Sequence, residues 1–505
     1  MWGRVCAMLL SYEASALAVI LVAVVSLWVS ERLPLPVTAL LGAVACVAAG
    51  VAPAKEVFRP FAEPLVFLFI GSFILAEAIR VHGLDRRLAY SVLGVSWVGE
   101  RPWRIMAAVA TVSAVISAFI SNTATTAMMV AIVSGILVAI EKASQQAVAG
   151  SEGHRQPATC AETLAGEQPA SGIPAADKKL DPRFAVGLML CVAFSASVGG
   201  LATPIGTPPN VIGLAFIKNE LGIDVSFFAW CAVGVPVAAV LTTVVVSLLL
   251  WMFPSGVERL AGVSQFVTAE RARLGAWSVG QRSTAIAFGI TVALWVLPGI
   301  LSLALGQKHP LCGWVASRMP EGVAALVGAI LLFILPGELL PDGRRRRAIV
   351  WPEAARIDWG IILLYGGGMA LGELAFSTGL AGAIGRGLTG WLPLDYGGTP
   401  LVVAVAVVAV LTSEFTSNTA SANMVVPVAI ALAQASGGDA FIAALAATFA
   451  SSLGFMMPVS TPCNAIVYGT GRVPLAAMMK GGAILDVVGA VVIAVAMLIV
   501  RQFWT

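Results

Sequence analysis

The segment ISNTATTAMMV, residues 120–130, places a Ser-Asn-Thr triplet (residues 121–123) between two apolar stretches. The segment TSNTASANMVV, residues 416–426, repeats the triplet at residues 417–419 in similar surroundings. Polar groups and interrupted helices are unfavourable against lipid, and non-helical backbone is tolerated at membrane depth only where it is buried in protein or lines a cavity. The duplicated triplet therefore predicts two polar breaks inside a membrane protein.

The composition agrees with this class of protein. The chain has 505 residues, of which 59% are hydrophobic and 11% charged, with a mean hydropathy of +0.92; soluble domains are about half apolar and a quarter charged. The seven cysteines show no CxxC spacing and the three histidines are scattered. We find no paired nucleophile and base, so the sequence indicates no enzyme, and a net charge of +3 gives no reason to expect a nucleic-acid partner.

Apolar runs of roughly twenty residues, the length of a membrane-crossing helix, recur along the chain. Two further apolar stretches, about 105–140 and 400–435, contain the triplets and are predicted to be re-entrant hairpins that enter and leave on one side. The ten predicted crossing segments are about 14–30, 35–53, 61–82, 184–217, 226–253, 283–305, 321–336, 358–380, 440–470 and 475–500.

The distribution of basic residues supports this arrangement. With the hairpins not crossing, most of the 30 Lys and Arg residues fall in loops on one face, as the positive-inside rule expects for the cytoplasmic side. Both termini are then outside. The polar stretch 141–183 is predicted to be a flexible cytoplasmic loop, and residues 254–282 a cytoplasmic linker.

The chain also contains an internal repeat. Gly71 aligns with Gly367 and Ser121 with Ser417 at one offset of 296 residues. The same offset relates Glu77 to Glu373, Gly83 to Gly379 and Ser117 to Ser413. The sequence therefore predicts two copies of one unit, residues 14–253 and 283–500.

Each predicted copy has five spans plus one hairpin. Because five is odd, the second copy lies upside down relative to the first, and the hairpin tips meet near the middle of the membrane, where inverted-repeat transporters bind their cargo. The predicted fold is an all-α polytopic membrane protein with two inverted-topology repeats.

A second motif pair follows the hairpins: GTPPN at residues 206–210 and STPCN at residues 460–464. Their prolines interrupt helix hydrogen bonding and free backbone carbonyls. Hydroxyl, amide and carbonyl oxygens without carboxylates suit a weakly bound alkali ion, and helix N-termini suit an anion. We expect Asn210 and Asn464 to tie each broken helix to its hairpin.

With both motif pairs and the segment VFLFIGSFILAEAIRVHGLDRRLA (residues 66–89), the chain resembles the divalent anion–sodium symporter family from residue 14 to residue 500. The resemblance implies a sodium-coupled carrier of dicarboxylates, citrate or sulfate that works as a homodimer, with a transport domain moving past a fixed scaffold. The implied first Na⁺ ligands are Ser117, Ser121, Asn122 and Gly206, and the second Ser413, Ser417, Asn418 and Ser460. The implied substrate residues are Ser121, Asn122, Thr123, Ser417, Asn418, Thr419, Thr461 and Pro462. Ser460 and Cys463 depart from the first copy, which has Gly206 and Pro209 at these positions. The Ser460 hydroxyl would add a ligand to the second ion site.

The motifs contain no Lys or Arg, and a dianion alone would be strongly disfavoured at the membrane middle. Two Na⁺ ions would neutralise it, and a third would let the membrane potential drive uptake. We therefore predict Na⁺-coupled symport of a C4-dicarboxylate such as succinate, malate or fumarate by an elevator-type movement. The protein is expected in the cell membrane as a multi-pass protein, in the inner membrane if the source is a Gram-negative bacterium.

Several alternatives stay open at this stage. Sulfate or citrate could be the cargo, and the Glu77–Glu373 pair leaves room for proton coupling or for an anion exchanger of the same fold, unless these residues only make packing contacts. Glu414 lies beside the second triplet and could also bind a cation. Asp486 could pair with Lys480, or Lys480 could extend towards the cytoplasmic side. An anion channel is a more remote interpretation because the sequence lacks the ring of basic residues that such a pore needs, and a membrane hydrolase is also remote.

Overall fold

The computed structural model describes residues 10–30, 32–152, 181–306, 309–340, 342–389 and 398–504. The first nine residues and residues 153–180 of the predicted polar loop lie outside these ranges. The loop was predicted to begin at residue 141, but the preceding helix continues to Glu152. The boundary was wrong because the Ala, Glu, Lys and Gln residues after position 140 are good helix formers.

The first half of the chain is helical wherever it is described, apart from turns and short connections. A single 3₁₀ turn covers Arg59–Ala62. The helices are α1 (Tyr12–Ser30), α2 (Leu35–Ala48), α3 (Ala54–Val57), α4 (Pro64–Val81), α5 (Leu84–Leu93), α6 (Pro102–Ser117), α7 (Asn122–Glu152), α8 (Pro182–Gly199), α9 (Pro208–Leu221), α10 (Phe227–Met252) and α11 (Val263–Arg273).

The second half follows the same order, so that α16 to α19 correspond to α4 to α7, and α20 to α22 correspond to α8 to α10. Its helices are α12 (Val279–Leu305), α13 (Pro310–Arg318), α14 (Glu321–Ile334), α15 (Trp351–Ala354), α16 (Trp359–Ser377), α17 (Leu380–Thr389), α18 (Thr399–Phe415), α19 (Asn418–Ser436), α20 (Ala440–Ala450), α21 (Pro462–Gly469) and α22 (Leu475–Trp504).

The sequence predicted no strands, yet two short antiparallel strands, β1 (Pro336–Leu339) and β2 (Arg345–Arg347), follow α14. Gly343 between them has φ = 79°, a conformation that glycine adopts without a side-chain clash, so the chain can reverse there. This β-hairpin contains the four consecutive arginines at residues 344–347, three of them in β2. Their charge gives little indication of strand structure.

Each triplet separates two helices at the position that the sequence predicted. Residues 118–121 lie between α6 and α7, and residues 416–417 between α18 and α19. The serine of each triplet is the cause, because Ser121 Oγ accepts a hydrogen bond from the Ala124 amide and Ser417 Oγ one from Ala420, each at 3.2 Å. A serine in this role starts a new helix.

The TPxN motifs also mark helix breaks. The prolines were expected to interrupt a helix, but they lie at the start of one. The unwound residues 200–207 and 451–461 precede the prolines, and α9 and α21 begin at Pro208 and Pro462. A proline is well tolerated in the first turn of a helix, where its missing N–H has no partner to lose. The free carbonyls therefore lie on the N-terminal side of each proline.

The aligned glycines Gly71 and Gly367 both lie where two helices touch. A Cβ on Gly71 in α4 would lie 2.5 Å from the backbone carbon of Ala325 in α14. A Cβ on Gly367 in α16 would lie 2.7 Å from the Cβ of Ala39 in α2. Each half thus packs one of these helices closely against a helix of the other half.

Within the described ranges, nine helices are long and apolar enough to cross a bilayer, and α13 with α14, bent by 59°, could form a tenth span. This set differs from the ten predicted segments. It includes the second hairpin arms, Asn122–Ala143 and Asn418–Ser436, while α2 and α20 are shorter than a full span. The protein is a nearly all-helical polytopic membrane protein, whereas the re-entrant course of the hairpins and the inversion of the halves stay predictions.

Candidate ion and substrate site

All four motif segments line a single cavity of about 280 Å³. Every residue predicted to contact the substrate contributes to its wall. The lining consists of Leu35, Pro36, Phe73, Ser121, Asn122, Thr123, Ile205, Gly206, Thr207, Pro208, Asp358, Gly360, Ile361, Leu364, Ser417, Asn418, Thr419, Ser460, Thr461, Pro462 and Cys463.

Six helices begin at this cavity: α7 and α19 at the asparagines of the triplets, α9 and α21 at the prolines of the TPxN motifs, and α2 and α16 at the opposite wall. Each helix N-terminus carries a partial positive charge of about half an elementary charge and unpaired N–H groups. No Lys or Arg is among the lining residues. Partial charges of the backbone therefore supply the positive potential in the cavity wall.

The first predicted ion site lies behind the first triplet. Ser117 Oγ and the Asn122 side-chain amide are 2.6 Å apart. With its nitrogen facing inward, this amide also donates to the Gly206 carbonyl oxygen at 3.1 Å and to that of Ala196 at 3.3 Å. Uncharged oxygen atoms from the hairpin and from the unwound segment before α9 are thus held next to one another.

The second predicted ion site repeats this arrangement. Ser413 Oγ lies 2.7 Å from Asn418 Oδ1 and 2.9 Å from the Ser451 carbonyl oxygen, and its one proton can be donated to either acceptor. A Cβ on Gly454 would lie 3.1 Å from Ser413 Oγ, 3.2 Å from Asn418 Oδ1 and 3.3 Å from the Cβ of Ser460. These residues therefore converge on one small volume. The Ser460 hydroxyl, which was expected to add to the ion site, donates to Glu414 Oε2 at 2.8 Å.

The asparagines of the TPxN motifs are fully buried and bind the unwound segments. Asn210 Nδ2 donates to the carbonyl oxygens of residues 200 and 203, both at 2.8 Å. Asn464 Nδ2 donates to those of residues 454 and 457, both at 3.0 Å. The spacing of ten and seven residues is the same in both halves. The prediction that Asn210 and Asn464 bind the hairpins was wrong, because these hydrogen bonds join each broken helix to its own unwound segment.

The structure brings nearly all predicted site residues together. Ser117 and Ser413 are the two that do not line the cavity; they are buried behind it and contact Asn122 and Asn418. Sequence reasoning missed the opposite wall, which includes Phe73 of α4 and the residues at the starts of α2 and α16. Apart from Asp358, which caps α16, these are apolar or glycine positions. None of them belongs to a motif, so the sequence contained no signal for them.

The aligned glutamates that left room for proton coupling lie away from the cavity. Glu77 accepts a hydrogen bond from Arg80 Nε at 2.7 Å on its own helix. Glu373 accepts from Arg59 Nη2 at 3.0 Å and from Asn219 Nδ2 at 2.7 Å. Neither glutamate lines the cavity. The contacts of Glu373 match the packing alternative, in which polar groups join neighbouring segments, whereas Glu77 pairs with Arg80 within α4.

Glu373 also faces a separate polar pocket of about 320 Å³ between the end of α9 and α16. Burial raises the pKa of Glu220 in this pocket to about 7, and the negative charge of Glu373 is the second cause. This pocket shares no lining residue with the motif cavity.

Comparisons with known proteins agree with this fold. The family model of the sodium:sulfate symporter transmembrane region matches residues 6–505. The sodium-dependent dicarboxylate transporter SdcS of Staphylococcus saprophyticus is 28% identical over 475 residues, which cover 92% of this chain and 82% of that protein. SdcS of Staphylococcus aureus strain USA300 is 27% identical over 471 residues, with the same shares.

Two solved structures are also similar. The YdaH transporter of Alcanivorax borkumensis superposes with a TM-score of 0.53 at 12% identity and covers 88% of this chain and 87% of its own. MtrF of Neisseria gonorrhoeae gives 0.51 at 14% identity, with coverage of 91% and 85%. At these identities the likeness shows the fold alone.

The family model and the SdcS relatives, together with the membrane-crossing helices, show that the chain is a multi-pass transporter of the cell membrane and not an enzyme. The chain belongs to the sodium:sulfate symporter family, whose model matches it over residues 6–505.

Proposed function

We propose that this protein couples the entry of Na⁺ to the uptake of a divalent organic anion, a C4-dicarboxylate such as succinate, malate or fumarate. The observation that supports this most is the cavity itself, where the N-termini of the four motif helices and two sets of uncharged oxygen atoms meet without a basic side chain. Each of these N-termini contributes a partial positive charge of about one half towards the two negative charges of a dicarboxylate, and the wall also contains one acidic side chain, Asp358. Bound Na⁺ ions add the remaining counter-charge.

The two ion sites are assigned to the duplicated motifs. The proposed ligands of the first ion are Ser117, Ser121, Asn122 and Gly206, and those of the second are Ser413, Ser417, Asn418 and Ser460. Hydroxyl, amide and backbone oxygens bind Na⁺ weakly enough for release, which a carrier requires. The anion then binds between the triplets and the α21 N-terminus, at Ser121, Asn122, Thr123, Ser417, Asn418, Thr419, Thr461 and Pro462.

Transport follows an elevator-type movement of the hairpins and broken helices past a scaffold that includes α2, α4, α14 and α16, within a homodimer. The close contacts at Gly71 and Gly367 are consistent with a scaffold made from the two halves. A net charge of +1 on the loaded site would gain about 2.3 kcal/mol per 100 mV of membrane potential. The choice of cargo follows the SdcS relatives, which are named as dicarboxylate transporters.

The first experiment measures uptake of radiolabelled succinate into proteoliposomes with an inward Na⁺ gradient and with choline in its place. We expect at least about tenfold faster uptake with Na⁺, because a dianion without counter-ions is strongly disfavoured in the membrane. Unlabelled malate, fumarate, citrate and sulfate are then added as competitors. Equal uptake in the two buffers would exclude sodium coupling, while competition by sulfate or citrate alone would favour the alternative cargo.

A second experiment tests the ion assignment with Ser121→Ala and Ser417→Ala. Each change removes one uncharged ligand and one helix cap, worth about 0.5 to 1.5 kcal/mol, so the Na⁺ concentration for half-maximal uptake should rise about 3- to 10-fold. Ser436→Ala, at the end of α19 and away from the cavity, is the matched control. Wild-type sodium curves in both variants would show that the triplets do not bind the ions.

A further inference from the structure

The motif cavity has two walls of different chemistry. The motif wall, formed by the triplets and the TPxN segments, carries the hydroxyl, amide and backbone groups described above. The other wall comes from the starts of α2 and α16 and from the middle of α4. We call it the apolar wall, and its apolar side chains are those of Leu35, Pro36, Phe73, Ile361 and Leu364. An anion that binds to the motif wall therefore also faces this apolar surface.

The apolar wall offers an anion few hydrogen-bond donors, although α2 and α16 begin there. Pro36, in the first turn of α2, has no N–H group. The Ile361 amide, in the first turn of α16, already donates to Asp358 Oδ1 at 3.3 Å. Asp358 is the one polar side chain on this wall in the described part of the chain, and a carboxylate accepts hydrogen bonds without donating any. The donors for an anion are thus concentrated on the motif wall.

Phe73 is the one aromatic residue among those that line the cavity. Its ring packs against Phe69, one turn earlier on α4, with 5.4 Å between the ring centroids. Phe69 is itself buried and meets the buried ring of Tyr365 in α16 edge-on, with 5.6 Å between the centroids. This row of three rings joins α4 to α16. It restricts the movement of Phe73, as close packing does in protein interiors.

The candidate cargoes differ in what they present to the apolar wall. Succinate and fumarate carry their two carboxylates at the ends of an apolar two-carbon backbone. When both carboxylates bind the motif wall, this backbone can face the apolar wall. Malate adds a hydroxyl group to the backbone, citrate adds a hydroxyl and a third carboxylate, and sulfate has oxygen atoms on every side. An oxygen that is buried at the apolar wall without a partner lowers affinity by about 5- to 150-fold.

We propose that the apolar wall, through Phe73, makes this site selective for a dicarboxylate with an unsubstituted carbon backbone. This inference rests on the proposed function and narrows its cargo. Succinate and fumarate bind most tightly. Malate follows, because its hydroxyl group has to turn towards the motif wall, and citrate and sulfate bind most weakly. Phe73 acts by contact with the carbon backbone, whereas the motif wall binds the negative charges.

The test is equilibrium binding of tritiated succinate to the purified full-length protein in detergent, with saturating Na⁺ and with choline in its place. Unlabelled succinate, fumarate, malate, citrate and sulfate are added as competitors. For the wild type, half-maximal competition by sulfate should need a concentration at least about tenfold higher than competition by succinate. The ratio of these two concentrations measures the selectivity of the site, apart from its overall affinity.

Four variants test the origin of this selectivity. Phe73→Ser places a hydroxyl group and space for water in the wall, so the sulfate-to-succinate ratio should fall at least about fivefold. Ile361→Thr adds a hydroxyl group at a second position of the wall and should also lower the ratio. Phe73→Leu keeps an apolar side chain and should keep the ratio within about threefold. Phe67→Ser, at an exposed position of α4 outside the cavity, is the matched control.

Melting temperatures identify any variant that does not fold, and the order of the competitors in the wild type needs no variant. The inference is overturned if sulfate competes as strongly as succinate in the wild type, or if the ratio is unchanged in the folded Phe73→Ser and Ile361→Thr variants. An equal fall in Phe73→Leu or in Phe67→Ser would also overturn it. Absence of Na⁺-dependent succinate binding to the wild type would instead overturn the proposed function.

Discussion

Replacing Gly206 with serine is expected to reduce sodium-driven uptake by about 10- to 100-fold, because overpacking at this position costs about 1 to 3 kcal/mol. The aligned position in the second half is Ser460, so the sequence alone suggests that serine would be accepted. The structure shows why it would not be. A Cβ on Gly206 would lie 2.5 Å from the Gly200 carbonyl oxygen and 2.9 Å from its Cα. These are backbone atoms, which cannot move aside without changing the unwound segment.

The consequence for Gly206→Ser falls on the first ion site. The Gly206 carbonyl accepts the bond from Asn122 that joins the unwound segment to the hairpin. A shift of this carbonyl would remove one proposed ligand and misplace another. The experiment is succinate uptake at increasing Na⁺ concentration, beside the melting temperature of the purified variant.

Gly289→Ser on α12 is the matched control for this prediction, because a Cβ there would meet nothing within 4 Å. It should leave uptake within about twofold, as an unstrained surface substitution does. A wild-type sodium curve in Gly206→Ser would mean that no ion site is formed at the first unwound segment.

The second large effect is expected from Asn210→Leu and Asn464→Leu. Each change removes an amide that donates to two carbonyl oxygens of an unwound segment. A buried carbonyl without a donor costs about 1 to 3 kcal/mol, so each variant should lose about 2 to 4 kcal/mol of stability if part of the segment relaxes. Leucine has nearly the volume of asparagine plus a methyl group, and steric strain adds to the cost.

We expect both asparagine variants to melt at lower temperature and to lose sodium-driven uptake, because the free segments no longer hold Gly206 and Gly454 in place. Thermal melting in detergent and uptake into proteoliposomes measure the two effects. Asn219→Leu at the exposed end of α9 is the comparison with the same substitution outside the unwound segments, and it removes only the hydrogen bond to Glu373. Similar melting temperatures in wild type and both variants would show that these bonds do not fix the unwound segments.

Much of the site follows from patterns that are local in the sequence. The serine of each triplet caps a helix with its own neighbours, and the prolines begin α9 and α21 by their fixed φ. Both effects need only a few adjacent residues. The constant offset between the copies then predicts that two such breaks occur in equivalent surroundings, and the cavity lined by all four motifs agrees with that expectation.

Other features could not be predicted because they depend on which distant segments pack together. The Ser460 hydroxyl binds Glu414, and Asp486 is buried while Lys480 is exposed, so the pairing of these two considered from the sequence does not form. Ser460 and Glu414, 46 positions apart, are brought together by the packing of α18 against the unwound segment. No periodicity or motif records such contacts.

The sequence by itself determined a polytopic helical protein, the places where its helices break and the duplicated oxygen-bearing motifs, since apolar length, caps and prolines act within one or two helical turns. Only the tertiary structure decided that the N-termini of the four motif helices meet around one cavity, that Gly206 leaves no space for a side chain, and that the Glu414 carboxyl group is buried against the second unwound segment. These features depend on close packing between helices far apart in the chain, where backbone atoms come within contact distance and water is excluded.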